Sequence, residues 1–146
     1  MPKPIVYKTT HRIRFSDLDP YDHVSTANYA TYFVDHRMAG LAENVGWTVE
    51  KLRSLPFLMF VRRLEIDFLR PTRGDQQITI TSFVREFAGP DATIECSMLD
   101  GRGKLLARCV MTTAHVERGT SRASDWPLEV AALFFEPDPE PQLESS

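Results

Sequence analysis

The chain has 146 residues, of which 42% are hydrophobic and 25% are charged, and its formal net charge is −3. This balance is typical of a soluble globular protein of one domain, and it excludes collagen-like, low-complexity and wholly disordered chains. With 17 basic against 20 acidic residues, the chain has no basic excess to neutralise a phosphate backbone, so we expect no nucleic-acid partner.

Cysteine usage and hydropathy both predict a cytoplasmic protein. Cys96 and Cys109 are too few for a disulfide framework, and because both lie in strand-like runs we expect them to be small buried residues. The longest apolar run, 55–61, is interrupted by Pro56 and is much shorter than the ~20 residues of a membrane span. Residues 1–15 lack the apolar segment of a secretory signal. We therefore expect neither export nor a membrane partner.

The first predicted element is a strand over 5–15. Tyr7, Ile13 and Phe15 share one parity and basic residues share the other, which is the period of a half-buried strand. A polar stretch with one proline follows at 16–23 and predicts a turn or loop.

A long helix is predicted next. Ser25 or Thr26 is a suitable N-cap, the following apolar residues recur at three- and four-residue spacings, and several alanines favour helix. Gly46 is a natural stop, so we expect a helix of about 18–20 residues. A short irregular or helical segment is predicted at 49–55.

The rest of the chain is dominated by apolar runs separated by turn residues, which predicts consecutive antiparallel hairpins. The predicted strands are 57–69, 76–87, 92–99 and 105–116. A strand, a long helix and four further strands predict an α+β fold, in which the helix covers one face of an antiparallel sheet of about five strands. We expect a single domain over 1–135, with a short helix within 127–135, and a disordered tail over 136–146.

The densest polar cluster lies directly before the predicted helix and consists of Asp17, Asp19, Asp22 and His23. One interpretation is a solvated turn that caps the helix, because carboxylates near a helix N-terminus are stabilised by its dipole. The other is a site for acyl transfer. The free N–H groups of a helix N-terminus can bind an oxyanion while a nearby carboxylate attacks the carbonyl or activates water. The residues alone leave both interpretations open.

Two stretches carry a resemblance to a known family. The stretch FSDLDPYDHVSTANY at 15–29, with the aromatic pair at 32–33, resembles the signature of hotdog-fold thioesterases, and in particular of the 4-hydroxybenzoyl-CoA thioesterase-like group. The stretch VRRLEIDFLRP at 61–71, followed by Gly74, is similar to that family's second strand and turn. The resemblance extends over about residues 5–118.

The resemblance implies a hotdog fold, a long helix wrapped by an antiparallel sheet, which assembles as a homodimer or homotetramer with active sites at subunit interfaces. On this resemblance, Asp19 takes the position of the catalytic carboxylate, acting as nucleophile or general base. Thr26 takes the position whose backbone N–H polarises the thioester carbonyl. His23 either assists in the site or shapes the loop. Tyr29 takes the position of the family's helix aromatic, and we interpret it as a packing residue. We also count it among the candidate substrate-binding residues.

The sequence departs from the family pattern at several positions. Asp22 stands where the family usually has glycine, and Asp tolerates a positive φ better than most residues. Ser25 and Thr26 replace an Asn-Asn pair. Val34 stands where the helix often carries an acid, and Asp35 is rotated by about 100° from that position. These departures affect the expected substrate choice and rate, but not the role of Asp19.

Arginines on the predicted strands are candidates for binding CoA phosphates, because a guanidinium offers paired donors. We count Arg70, Arg73 and Arg85 as substrate-binding candidates. Together with Arg62 and Arg63, the first two could instead form a basic patch for an acidic carrier protein. For each arginine alone, the alternative is a solvated strand face.

The sequence thus predicts an acyl-CoA thioesterase that hydrolyses a thioester to a carboxylate and free CoA. No metal or redox cofactor is expected, because a thioester is already activated and the dispersed histidines do not form a metal site. One alternative is a thioesterase that acts on acyl groups carried by a carrier protein. Another is a non-catalytic module that binds acyl-CoA.

Overall fold

The computed structural model describes residues 2–137 and forms an α+β fold with one long helix on a five-stranded sheet. The elements in chain order are β1 (Tyr7–Arg12), a 3-10 turn (Phe15–Asp17), α1 (Thr26–Val45), α2 (Val49–Ser54), β2 (Phe57–Phe68), β3 (Gln77–Ala88), β4 (Asp91–Leu99), β5 (Leu105–Glu117), α3 (Leu128–Ala131) and a second 3-10 turn (Ala132–Phe134). The predicted helix and all five strands are present, and α1 has the predicted length and ends. Most of the tail predicted to be disordered, 138–146, lies outside the described residues.

The strand order corrects one prediction. The sheet is fully antiparallel in the order β1-β3-β4-β5-β2, so β3, β4 and β5 form the predicted hairpins but β2 pairs with β5 rather than with β3. Segment 69–76 therefore crosses the end of the sheet. Three strand spacings of about 4.8 Å lie well within the reach of eight residues at ~3.3 Å each, so the chain can make this connection without a helix.

The first strand also ends earlier than predicted. β1 stops at Arg12, and the 3-10 turn that follows breaks the two-residue period. Phe15 is therefore 88% exposed instead of pointing inward, and Asp17 is buried in its place. The parity prediction for Phe15 is wrong because it extends a strand pattern across a turn.

Helix α1 lies close against the sheet because its inward face contains small as well as aromatic residues. Gly40 permits the closest approach, since a Cβ atom there would lie 2.5 Å from Cδ2 of Tyr7. The helix ends at Gly46, whose φ of 71° closes it in the left-handed conformation. Cys96 and Cys109 are opposite each other on the neighbouring strands β4 and β5, on the side of the sheet that faces the helix. Both are free cysteines and both are buried, as predicted.

Strand β2 is an edge of the sheet and exposes apolar side chains. It pairs on one side only, with β5, over 12 residues that include a bulge between Val61 and Arg63. Phe60 is 62% exposed, and Leu58 and Phe68 are also exposed. A long edge strand with apolar residues is normally covered in the native assembly. None of the helices in the described part of the chain has the length and hydropathy that a bilayer crossing requires.

Candidate functional site

The polar cluster before α1 folds as a small hairpin that leads into the helix. Segments 17–19 and 23–25 run antiparallel, with an isolated bridge between their middle residues. The backbone N–H of Asp19 donates to the carbonyl of His23 at 2.7 Å. The hairpin therefore brings the carboxylates and the first turn of α1 into one region, as the sequence predicted.

Asp17 anchors this hairpin. Its Oδ2 accepts the hydroxyl of Tyr32 at 2.6 Å and Nε of Arg14 at 3.0 Å. The hydrogen bond from Tyr32, with a smaller effect from Arg14, lowers the pKa of Asp17 below its usual range despite the cost of burial. The backbone carbonyl of Asp17 accepts the N–H of Ser25 at 2.9 Å and Nδ2 of Asn28 at 3.1 Å. Side chain and backbone are both used internally, so Asp17 holds the helix start in place.

Asp19 has a different environment two residues away. Its Oδ1 accepts the backbone N–H groups of Tyr21 at 2.8 Å and His23 at 3.1 Å. Its Oδ2 has no hydrogen-bond partner among residues 2–137, and the residue is half-buried. One oxygen thus fixes the carboxylate in place while the other is free to meet a substrate or a water molecule.

The start of α1, at the end of the same hairpin, leaves backbone donors without partners in the described chain. Ser25 is the N-cap, but its hydroxyl accepts Nδ2 of Asn28 at 2.7 Å instead of a helix N–H. The N–H groups of Thr26 and Ala27 have no acceptor within the described chain, and Thr26 is exposed. Free N–H groups at a helix N-terminus stabilise negative charge. The N–H of Thr26 is therefore unpaired in the described chain, and its role as an oxyanion donor stays a prediction.

Asp22 occupies the conformation for which the family uses glycine. Its φ is 63°, in the left-handed region, which Asp enters at lower cost than most residues. Gly74 packs against the same turn: a Cβ there would lie 2.6 Å from Cδ1 of Leu18 and 3.3 Å from Oδ1 of Asp22. The segment that joins β2 to β3 is therefore in close contact with the hairpin.

That segment connects the hairpin to further predicted residues. His23 forms an isolated bridge with Arg73, and Val24 donates its N–H to the carbonyl of Thr72 at 2.7 Å. The hydroxyl of Tyr29 donates to Oγ1 of Thr72 at 3.0 Å, and Tyr29 is buried. Tyr29 thus fastens α1 to the segment, while the half-buried imidazole of His23 makes no hydrogen bond with residues 2–137.

The three predicted substrate-binding arginines lie in different places. Arg73 is exposed beside the hairpin, on a shallow depression that also includes Arg102 and Lys104 from the β4–β5 turn. Arg70 donates to the carbonyl of Leu105 at 3.1 Å. Arg85 lies towards the far end of β3, where it pairs with glutamates of β3 and β4. Sequence reasoning missed Arg102 and Lys104, because only the pairing of β3 with β4 brings their turn to this end of the sheet.

A cavity of about 420 Å³ lies between the C-terminal half of α1, helix α2 and the start of β2. Its lining is mainly aliphatic and aromatic, and includes Met38, Leu41 and Phe57. Val34, which stands where the family often carries an acid, lines it as well. Phe57 and Phe87 supply aromatic surface to its wall.

A buried polar network crosses the middle of α1. His36 is 0% exposed, with Nδ1 2.6 Å from Oγ1 of Thr9 and Nε2 2.6 Å from Oγ of Ser82. Thr9 Oγ1 also lies 2.6 Å from Nε2 of His11, and Arg37 donates to Ser82 at 3.0 Å. Burial lowers the pKa of His36 to about 3, with smaller contributions from Arg37 and His11. His36 is therefore neutral near pH 7 and joins the helix to β1 and β3.

Within residues 2–137, no group of three or more His, Cys, Asp or Glu side chains is placed to hold a metal ion.

Residues 13–134 match the sequence model of the thioesterase-like superfamily. The chain belongs to the thioesterase-like superfamily. It is a thioester hydrolase with the hotdog fold, which confirms the family predicted from the hairpin motif.

Individual relatives are distant in sequence and close in fold. The long-chain acyl-CoA thioesterase FadM of Escherichia coli (strain K12) is 24% identical over 117 residues, which cover 80% of this chain and 87% of that protein. The solved structure of a DHNA-CoA thioesterase from Staphylococcus aureus superposes with a TM-score of 0.74 at 13% identity, covering 82% of this chain and 80% of that chain. The protein SAV2348 from Staphylococcus aureus, solved in complex with CoA, has a TM-score of 0.79 at 14% identity, covering 96% and 92%.

Proposed function

We propose that this thioester hydrolase acts on acyl-CoA, with Asp19 as the reacting carboxylate. The observation that carries the proposal is the contrast within the hairpin. Asp17 is buried and its Oδ2 is bound to Arg14 and Tyr32, whereas Asp19 is half-buried, forms no ion pair in the described chain and keeps Oδ2 without a partner there. Asp19 either attacks the thioester carbonyl carbon itself or removes a proton from an attacking water molecule. Similarity to FadM, an acyl-CoA thioesterase, supports the substrate class.

The start of α1 supplies the other half of the reaction. As the nucleophile adds, negative charge develops on the carbonyl oxygen, and the N–H of Thr26 at the helix N-terminus stabilises it. Collapse of this intermediate breaks the carbon–sulfur bond and releases the CoA thiolate. Where Asp19 has activated water, the thiolate takes up the proton that Asp19 removed, and the acyl group leaves as the acid, which ionises. Where Asp19 has attacked directly, the collapse leaves a mixed anhydride, and a water molecule hydrolyses it to the free acid and Asp19 and supplies the proton for the thiolate. The products are a carboxylate and free CoA. His23 shapes this site mainly through its backbone, which holds both Oδ1 and the N–H of Asp19.

The basic depression next to the hairpin is a suitable place for CoA phosphates. Arg73, Arg102 and Lys104 bring three cations to the sheet end at which the hairpin lies, against two carboxylates, Asp75 and Asp100. Asp75 is paired with Arg12 at 2.6 Å, so the lining keeps a positive excess. By contrast, Arg62 pairs with Asp91 at 2.9 Å, which partly neutralises the patch considered for an acidic carrier protein. This distribution favours free CoA over a carrier protein as the acyl donor.

A homodimer formed through β2 would complete the site. Antiparallel pairing of two β2 strands about their midpoints would place the start of one strand, 57–61, opposite the end of the other. The end of β2 packs against the base of α1, since Phe68 meets Tyr29 edge-on at 4.9 Å. The cavity of one copy would then open towards Asp19 of the other. The dimer would also cover the exposed apolar residues of β2.

The test of Asp19 is a comparison of thiol release from a panel of acyl-CoAs by wild type, Asp19→Asn and Asp22→Asn. Asn at 19 retains an oxygen for the N–H groups of Tyr21 and His23, so the hairpin is preserved. We expect kcat to fall by about 10²–10⁴-fold for Asp19→Asn. Asp22→Asn removes an exposed carboxylate from the same hairpin at a φ that Asn tolerates, and its kcat should stay within about threefold of wild type.

Equal activities for wild type and a folded Asp19→Asn protein would remove Asp19 from the mechanism. The same panel presented on a carrier protein separates the two acyl donors, because our proposal requires a higher kcat/KM for free acyl-CoA. Sedimentation of wild type and Phe60→Glu tests the dimer, since a charge on the exposed edge should shift the equilibrium towards the monomer.

A further inference from the structure

Among the described residues, those that line the cavity include positively charged side chains and no acidic one. Its lining residues include Arg37, Arg53 and Arg118 but no aspartate or glutamate. Arg118 is occupied at the end of α2, where it donates to the carbonyls of Leu55 at 2.8 Å and Leu52 at 3.2 Å. Arg53 is exposed at the rim. Arg37 is different, because it is only 6% exposed and forms part of the inner wall.

Arg37 has unusually few partners for a buried guanidinium. Within residues 2–137 it makes one hydrogen bond, from Nη1 to Oγ of Ser82 at 3.0 Å, and no ion pair. Its Cζ lies 4.5 Å from the ring centre of Tyr7. A guanidinium has five N–H donors, and a buried charge is normally paired with an opposite charge. The guanidinium of Arg37 therefore lacks a counter-charge in the described chain.

The unused donors of Arg37 are in contact with open space. In the described chain, the fully enclosed side-chain nitrogen and oxygen atoms without a partner are Oη of Tyr7 and Nε2 of His115. The unpaired nitrogens of Arg37 are not among them, so they are not sealed by protein atoms. The open space that Arg37 lines is the cavity.

We propose that Arg37 binds a carboxylate at the far end of the acyl group, which makes ω-carboxyacyl thioesters the preferred substrates. This inference rests on the proposed function for the position of the thioester. The aliphatic wall takes the methylene chain, and the planar guanidinium accepts a carboxylate through two parallel hydrogen bonds. An unsubstituted alkyl chain would fill the same space but leave the charge of Arg37 unpaired. A volume of about 420 Å³ corresponds to roughly fourteen water-sized volumes of ~30 Å³, which suits a chain of moderate length.

The experiment measures binding without hydrolysis. Non-hydrolysable thioether analogues of acyl-CoA are prepared in pairs of equal chain length from six to twelve carbons, one ending in methyl and the other in carboxylate. Calorimetry gives Kd for each pair with wild type, Arg37→Met, Arg37→Lys and Arg53→Met. Met keeps much of the length of the arginine stem, and Arg53→Met removes a cation from the rim of the same cavity.

At the best chain length, wild type should bind the carboxylate analogue about 10- to 100-fold more tightly than the methyl analogue. Arg37→Met should lose this preference, Arg37→Lys should retain part of it, and Arg53→Met should keep it. The proposal is wrong if wild type shows no preference at any length, or if folded Arg37→Met shows the same preference as wild type. If Arg37→Met does not fold, the difference in Kd between the carboxylate and methyl analogues on wild type decides the proposal.

The two proposals fail in different ways. Loss of the carboxylate preference with normal hydrolysis of alkyl acyl-CoAs would overturn only the role of Arg37. A clear preference in the thioether series, together with unimpaired hydrolysis by Asp19→Asn, would overturn only the role of Asp19.

Discussion

The start and the middle of helix α1 use polar residues in opposite ways. At its N-terminus, the hairpin satisfies its polar groups largely with backbone partners, and it leaves Oδ2 of Asp19 and the N–H of Thr26 without partners in the described chain. In its middle, His36 is enclosed and bonded only to side chains of β1 and β3. The first arrangement suits a ligand that comes and goes. The second fixes the helix to the sheet and sets the position of Arg37.

Among single substitutions compared at neutral pH, the largest loss of stability should come from the anchor of the N-terminal end. Asp17→Ala removes the acceptor of Tyr32, whose hydroxyl then loses its 2.6 Å bond in a buried position. Hydrogen bonds to charged groups and unpaired buried hydroxyls each amount to about 1–3 kcal/mol, so we expect the free energy of unfolding to fall by about 2–3 kcal/mol. Urea denaturation measures this fall in the free energy of unfolding. A midpoint equal to that of wild type would show that Asp17 does not anchor the hairpin.

A slightly smaller effect is expected where α1 approaches β1. Gly40→Ala would place a methyl group 2.5 Å from Cδ2 of Tyr7, and Tyr7 is buried beneath Arg37. Overpacking of this kind costs about 1–3 kcal/mol, from which the better helix propensity of alanine recovers up to about 1 kcal/mol. Thermal unfolding measures the loss. Stabilisation by Gly40→Ala would mean that the contact is looser than the structure indicates.

The middle of α1 should also respond to acid. The pKa of His36 is about 3 in the folded protein, against about 6.5 in the unfolded chain. Between these values the unfolded chain binds more protons, so stability falls as the pH decreases from about 6.5 towards 3, by up to ~1.4 kcal/mol per pH unit. Urea denaturation at pH 7, 6, 5 and 4 gives the slope. His36→Gln should have a shallower slope, and identical slopes would assign the acid sensitivity to other groups.

The smallest effect concerns the turn beside Asp19. Asp22→Gly relieves the left-handed φ of 63° and should change stability by less than about 1 kcal/mol, in the stabilising direction. Asp22→Ala, which lacks the tolerance of Asp for this conformation, should be destabilising by a similar amount. Differential scanning calorimetry of the pair tests the sign, and a more stable alanine variant would contradict it.

The sequence by itself determined the local elements and indicated the candidate site. Hydrophobic period, turn residues and Gly46 defined α1 and the strands, because these signals act between residues that are close along the chain. The motif at 15–29 indicated the family and Asp19 for the same reason.

Only the tertiary structure decided how these elements meet. The placement of β2 beside β5, the engagement of Asp17 by Tyr32 and the isolation of Arg37 from any carboxylate in the described chain all depend on contacts between distant segments. The backbone N–H and C=O groups of these strands can be satisfied in several strand orders, so the local sequence pattern cannot choose among those orders. The difference between an anchoring and a free aspartate likewise depends on which partners the folded chain brings within hydrogen-bond distance.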